Sequence, residues 1–206
     1  MRKVFLSNIL LSKLIKTQYI SDDFDLPDKE FDFMMSYFID MNVKQEDEVA
    51  IITCYTREKT ALANYESFKR EVNKVLDEKN AKVEFIDIQQ NSDFDSLTFN
   101  SFFKKVAKVF RNDDIIYMDL TYGMKPYSIA TFVAAAYAVK SAENVRVDTI
   151  VYAQKYRGQG EPEKIDTSKI YDITPLFYLH EITGNLHTGE KKSADKVLDL
   201  LISDFE

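Results

Sequence analysis

Between residues 113 and 140 the chain reads DDIIYMDLTYGMKPYSIATFVAAAYAVK. A carboxylate, a hydroxyl, a glycine and a cation fall there at the spacing Asp119-x-Thr121-x-Gly123-x-Lys125. The apolar run Ile115-Ile116-Tyr117-Met118 before them reads as a strand, and the Ala-rich stretch after them as a helix. A strand that meets a helix N-terminus through a small-residue turn is an anion-binding arrangement, because free backbone N–H groups and the positive end of the helix dipole point at one place. Thr121 adds a hydroxyl to that place and Lys125 a positive charge. The same residues also fit an ordinary strand-to-helix connection in which Gly123 serves the turn and Lys125 is solvated. Spacing alone leaves both readings open.

Other strand ends carry similar chemistry. The first delivers Ser7-Asn8, the second Thr53-Cys54-Tyr55-Thr56-Arg57, the fourth Thr121, Tyr122, Gly123, Met124 and Lys125, and the fifth Gln154 and Tyr156. In an open α/β sheet, ligands bind outside the carboxyl ends of the strands where the strand order reverses. Rings to stack on bases, amides to read their edges, and Lys with backbone N–H for phosphate together suit a nucleotide. Each residue alone is common strand-end punctuation; their convergence on one edge is the observation.

The elements that must position these groups alternate along the chain. Strands are expected at 3–7, 48–53, 82–88, 114–119, 147–153 and 169–173, and helices at 31–41, 58–79, 99–110 and 127–141. A charged, glycine-containing loop is expected over 155–167, followed after the last strand by a helix with Pro175 near its start. A final amphipathic helix over 190–206 carries Ala194, Val197, Leu198, Leu201 and Ile202 on one stripe. The pattern predicts a Rossmann-like, doubly wound α/β domain with a mostly parallel sheet of about six strands and helices on both faces, plus a short C-terminal helical segment. The helix after Lys125 is apolar on every face, so it needs cover on both sides. One cover is the sheet and the other is expected to be a second subunit, with Ala135 at that contact.

Composition narrows the class. The 206 residues suit one domain, with 45% apolar and 13% aromatic residues for a core. No run of about 18 apolar residues predicts a membrane span. The opening MRKVFLSNILLSKLIK is interrupted by Ser7, Asn8, Ser12 and Lys13, and reads as a buried strand instead of a signal peptide. One cysteine, Cys54, excludes an internal disulfide and a cysteine-built zinc site, and suits a cytoplasmic location. A net charge of −7 argues against a protein that coats duplex DNA, so an anionic ligand must be held by a local positive patch.

Several chemistries lack their motifs. There is no Walker loop, and Gly158-Gln159-Gly160 lies in a charged loop, away from any dinucleotide fingerprint. His180 and His187 have no carboxylate or cysteine cluster at metal spacing, so neither a metal nor another cofactor is expected. No nucleophile elbow is present.

The motif Asp119-x-Thr121-x-Gly123-x-Lys125 resembles the signature of the CRISPR-associated Rossmann-fold (CARF) domain family. The first strand running into Ser7-Asn8 resembles that family's other ligand loop. Ile170-Tyr171-Asp172-Ile173-Thr174-Pro175-Leu176 resembles the strand and helix that close its larger members. The resemblance spans about residues 1–180, leaving 181–206 as a C-terminal helical extension. It implies a homodimer whose two edges form one pocket for cyclic oligoadenylate, the second messenger of type III CRISPR antiviral defence, the tetra-adenylate ring before the hexa-adenylate. The implied ligand-binding residues are Ser7, Asn8, Thr53, Tyr55, Thr56, Thr121, Tyr122, Gly123, Met124, Lys125, Gln154 and Tyr156. Such domains are usually the sensory half of a longer effector, so a separate effector or a missing effector domain is expected as partner. One alternative is a metal-independent ring nuclease in which a ligand 2′-hydroxyl attacks its neighbouring phosphate, with Lys125 stabilising charge and Ser7 positioning the ribose. A generic nucleotide-binding enzyme on the same fold is a second.

Overall fold

The computed structural model describes residues 1–14, 17–90, 95–156, 167–184 and 189–203, with the side chains of Lys155, Tyr156 and Leu201 outside that description. Seven strands form one sheet: β1 (Arg2–Asn8), β2 (Gln18–Ser21), β3 (Glu48–Tyr55), β4 (Lys82–Gln89), β5 (Asp114–Asp119), β6 (Arg146–Tyr156) and β7 (Thr167–Asp172). Their order is β2-β7-β6-β5-β1-β3-β4, parallel throughout except where β6 meets β7. The chain builds outward from β1 through β3 to β4, then crosses back to place β5 on the other side of β1. This is the Rossmann-like architecture expected from the alternating pattern, with one strand more. The addition, β2, is a four-residue edge strand paired with β7. β6 also runs on to Tyr156, into the stretch expected to be loop. Gly158, Gln159, Gly160 and His187 lie outside the described residues.

Alternation along the central strands separates two cores. Phe5, Ile51 and Tyr117 face α1 (Met34–Asn42) and α2 (Lys59–Lys79), where Phe5 stacks on Tyr117 at 4.7 Å and Phe38 and Phe68 fill the layer. Leu6, Ile52, Cys54 and Met118 face the opposite core, which takes in α3 (Ser96–Ala107), α4 (Lys125–Ser141) and α5 (Thr174–Thr183). Strands buried on both faces read as continuous apolar runs, and those of β1, β3 and β5 do. The α1 N-terminus has no side-chain cap of its own. Glu71 of α2 serves instead, its two oxygens accepting the Asp32 N–H at 2.7 Å and the Phe33 N–H at 3.1 Å.

The helix expected to be covered on two sides is α4. It buries Tyr127, Thr131, Ala134, Ala135 and Ala138. It also lies beside α3 through Phe103 and Tyr137, and beside α5 through Phe132 and Phe177. Ala135 is fully buried inside its own domain, not at the outer contact expected for it. The outward ridge is Ile129, Val133 and Tyr137, at 64%, 45% and 52% exposure. These positions repeat every fourth residue, so they line one stripe. The last helix, α6 (Lys191–Ser203), leaves Leu198, Leu200 and Ile202 exposed. Among the described residues, no helix is long and apolar enough to cross a membrane.

Candidate functional site

The register of β1 with β5 sets Ser7 opposite Asp119, at the point where the strand order reverses. From there the chain turns through Thr121, Tyr122 and Gly123 into α4. Asp119 ties the two loops together. One carboxylate oxygen accepts the Ser7 hydroxyl at 3.2 Å, and the other accepts the Thr121 N–H at 2.8 Å. Burial holds the Asp119 carboxyl above the usual carboxylate range, at about 6, against the opposing effect of the hydrogen bonds from Thr121 and Ser7.

The turn is tied down on every side. The Thr121 hydroxyl accepts the Ala153 N–H of β6 at 2.8 Å. The Tyr122 hydroxyl meets the Tyr19 hydroxyl of β2 at 3.1 Å, so the edge strand absent from the expected elements helps to hold this turn. Burial raises the pKa of both phenols. Gly123 sits at φ +91°, and a Cβ there would lie 2.9 Å from Cβ of Asn8. Glycine is therefore required both by the backbone and by the close approach of the two loops.

The helix start offers fewer donors than the general pattern of an exposed N-terminus. Met124 is the N-cap and has no side-chain capping bond. Pro126 has no N–H, and the N–H groups of Tyr127 and Ser128 both converge on the Met124 carbonyl. Lys125 opens α4, and its side chain is exposed with no hydrogen bond or ion pair among the described residues. It is a cation available to an anion at this edge.

On the other side of β1, the ends of β3 and β4 close the site. Asn8 is buried, and its side-chain oxygen accepts from the Gln90 amide at 2.8 Å. Its amide nitrogen has no partner, nor do the buried hydroxyls of Thr53 and Thr56. Tyr55, expected to stack on a base, stacks on Tyr65 at 4.5 Å. Gln154 is exposed on β6, and the Tyr156 side chain lies outside the described residues. The structure thus brings Ser7, Asn8, Thr121, Gly123 and the start of α4 together around the β1–β5 junction, with Thr53 and Thr56 one strand away. Gln90 and Tyr19 were not foreseen. Their nearest sequence signal was position: Gln90 lies two residues past an expected strand, while nothing around Tyr19 marked a strand.

Among the described residues, no group of three or more His, Cys, Asp or Glu side chains is placed to hold a metal ion. A family model described as the Csa3 CRISPR-associated Rossmann-like domain matches residues 30–153, more than half of the chain. The match takes in Thr53, Thr56, Gln90 and the whole turn from Asp119 to Lys125, and leaves β1 outside. A search of curated proteins found no match.

Proposed function

Because the chain belongs to the family of Csa3 CRISPR-associated Rossmann-like domains, we propose that it binds a cyclic oligoadenylate, the tetra-adenylate ring first, in a pocket completed by a second copy of itself. The observation that carries this reading is the junction of β1 and β5, where Ser7-Asn8 and the Asp119–Lys125 turn meet at the reversal of strand order. Lys125 stands unpaired at that edge of a chain with a net charge of −7, so the attraction for phosphate is local. A two-fold dimer presents each donor twice, and a cyclic oligonucleotide with rotational symmetry and several phosphates fits such a pair. The outward ridge of α4, beginning one turn after Lys125, is the surface that would join the copies. The ligand-binding set keeps Ser7, Asn8, Thr53, Thr56, Thr121, Tyr122, Gly123, Met124 and Lys125 near this junction, with Tyr55, Gln154 and Tyr156 at its margin. The domain of residues 1–180 acts as sensor, and its output passes to a separate effector or to a further domain.

Binding without cleavage is the reading favoured here. The carboxylate at the junction, Asp119, is 1% exposed and engaged on both oxygens, so it is not itself an accessible base. Calorimetry with cyclic tetra- and hexa-adenylate, followed by mass spectrometry of the recovered ligand, tests this. The expectation is one ring per two chains, recovered intact, and a loss of about tenfold or more in affinity for Lys125→Ala with unchanged melting. Linear products would make the protein a ring nuclease. Equal affinity for linear mononucleotides would favour a generic nucleotide enzyme, and no binding of either ring would end the reading.

A further inference from the structure

Strand β5 carries a buried carboxylate at each end, and the two have different company. Asp114, fully buried, is gripped by the Arg2 guanidinium through bonds of 2.9 and 2.8 Å. Asp119, equally buried, has no cation in salt-bridge range among the described residues and meets neutral donors only, the Ser7 hydroxyl and the Thr121 N–H. Around it, β6 sets Val151 alongside in register, and α1 brings Met34 to the Thr121 hydroxyl at 4.0 Å. The phenols of Tyr19 on β2 and Tyr122 in the turn lie close enough to feel its charge, and burial keeps both protonated. Lys125, at the start of α4, makes no ion pair with it. A carboxylate out of water without an opposite charge is costly, and taking up a proton relieves that cost.

We propose that ligand binding at this edge is coupled to protonation of Asp119: the carboxylate takes one proton from solvent as an anion settles there, so the site holds its ligand more tightly as pH falls. The inference rests on the nucleotide reading above and adds a regulation to it. One O–H bond forms on Asp119, and water or buffer gives up the proton. Two routes lead to the same sign. If the 121–125 turn keeps its place, ligand phosphate adds negative charge beside a carboxylate already short of water. If the turn shifts to admit the ring, Asp119 loses the Thr121 N–H, a bond that favours its ionised form. Burial already brings the carboxyl up to about 6, so at neutral pH the ligand has a modest gap to close. By linkage the effect is reciprocal, and a proton on Asp119 strengthens the hold on the ring.

The test uses the full chain and cyclic tetra-adenylate. Calorimetry at neutral pH in two buffers of different ionisation enthalpy counts the protons exchanged on binding. The wild type is expected to take up at least about half a proton per chain, and to bind at least about fivefold more tightly near pH 6 than near pH 8. Phosphodiesters and adenines keep one protonation state over that range, so the proton goes to the protein. Asp119→Asn, uncharged at every pH, should take up none and should bind at the higher pH as tightly as the wild type does at the lower. Thermal melting checks that this variant is folded. If it is not, Ser7→Ala carries the test: it removes a bond that favours the charged carboxyl, so its affinity should start to fall at a higher pH and its proton uptake at neutral pH should be smaller. Binding of the ring without proton uptake, or uptake that persists unchanged in the variants, overturns the coupling while leaving the nucleotide reading in place. A wild type that binds neither this ring nor cyclic hexa-adenylate at any pH ends the nucleotide reading itself.

Discussion

Asp119 is a buried carboxylate with no cation in salt-bridge range among the described residues, and it stands at the edge where an anion is expected. Its pH dependence follows from that burial. In the folded chain it releases its proton near 6, and in the unfolded chain near 3.8. Between those values the folded chain holds more protons, so this group's contribution to stability falls as pH rises and is lost above the folded value. The difference of about two pH units is on the order of 3 kcal/mol. Asp119→Asn removes the dependence. Denaturant titrations of wild type and variant should converge below pH 4 and separate through pH 6, the Asn variant being the more stable at neutral pH. Parallel pH profiles would show that the carboxyl is not held neutral by its surroundings. The motif made Asp119 visible in the sequence, but its bond to Ser7 joins residues 112 positions apart and has no local signature. Gln90 was missed for the same reason: an amide at a strand end is commonplace until the fold sets it on Asn8.

At the scale of elements, the alternation of apolar strands and amphipathic helices was legible, because central strands buried on both faces are continuous runs of Val, Ile, Leu and Phe. β2 was not. Gln18-Tyr19-Ile20-Ser21 has one buried residue, and its pairing depends on β7 from the far end of the chain. α4 starts two residues earlier than expected, and Pro126 is well tolerated there because it falls in the first helical turn. The all-round apolar character of α4 was legible too, though not which residues face out. Its own α3 and α5 flank it, and the uncovered stripe is narrow. The proposed dimer contact is therefore tested at Val133 and controlled at Ala135. Val133→Glu is expected to give monomers by light scattering with melting nearly unchanged and ring affinity reduced. Ala135→Glu, placing a charge in a fully buried position, should lose several kcal/mol (about 3 or more) and lower the melting point instead. A Val133→Glu protein that remains a dimer would remove α4 from the contact.

Across the whole molecule, the two ends of the sheet are built for different purposes. At the amino end, the Arg2 guanidinium grips Asp114 through two bonds of 2.9 and 2.8 Å, and also reaches Glu84 and the Val109 carbonyl. Arg2 and Asp114 are 4% and 0% exposed, so β1 and β5 are joined by an ion pair shielded from water, with the half-exposed Glu84 of β4 at its edge. Removing one partner strands the other, at a cost of about 3–5 kcal/mol. Asp114→Ala should therefore lower the denaturant midpoint sharply, with little change in ring affinity in the fraction that folds. A loss of affinity at unchanged stability would mean that the two ends communicate. At the carboxyl end, β1 and β3 finish in buried polar groups without partners, the Asn8 amide nitrogen and the Thr53 and Thr56 hydroxyls. The shielded ion pair thus lies at one end of the sheet and the unmet hydrogen bonds at the other.

That asymmetry gives the chain a built-in reporter. Cys54, its one thiol, is fully buried near the end of β3 in register with Asn8, and burial raises its pKa. As thiolate is the reactive form, an added disulfide reagent is excluded until the strand ends part. The rate of Cys54 labelling is thus a clock for the opening of this edge, readable without introducing any foreign probe. A ring seated on Ser7 and Asn8 should slow the clock.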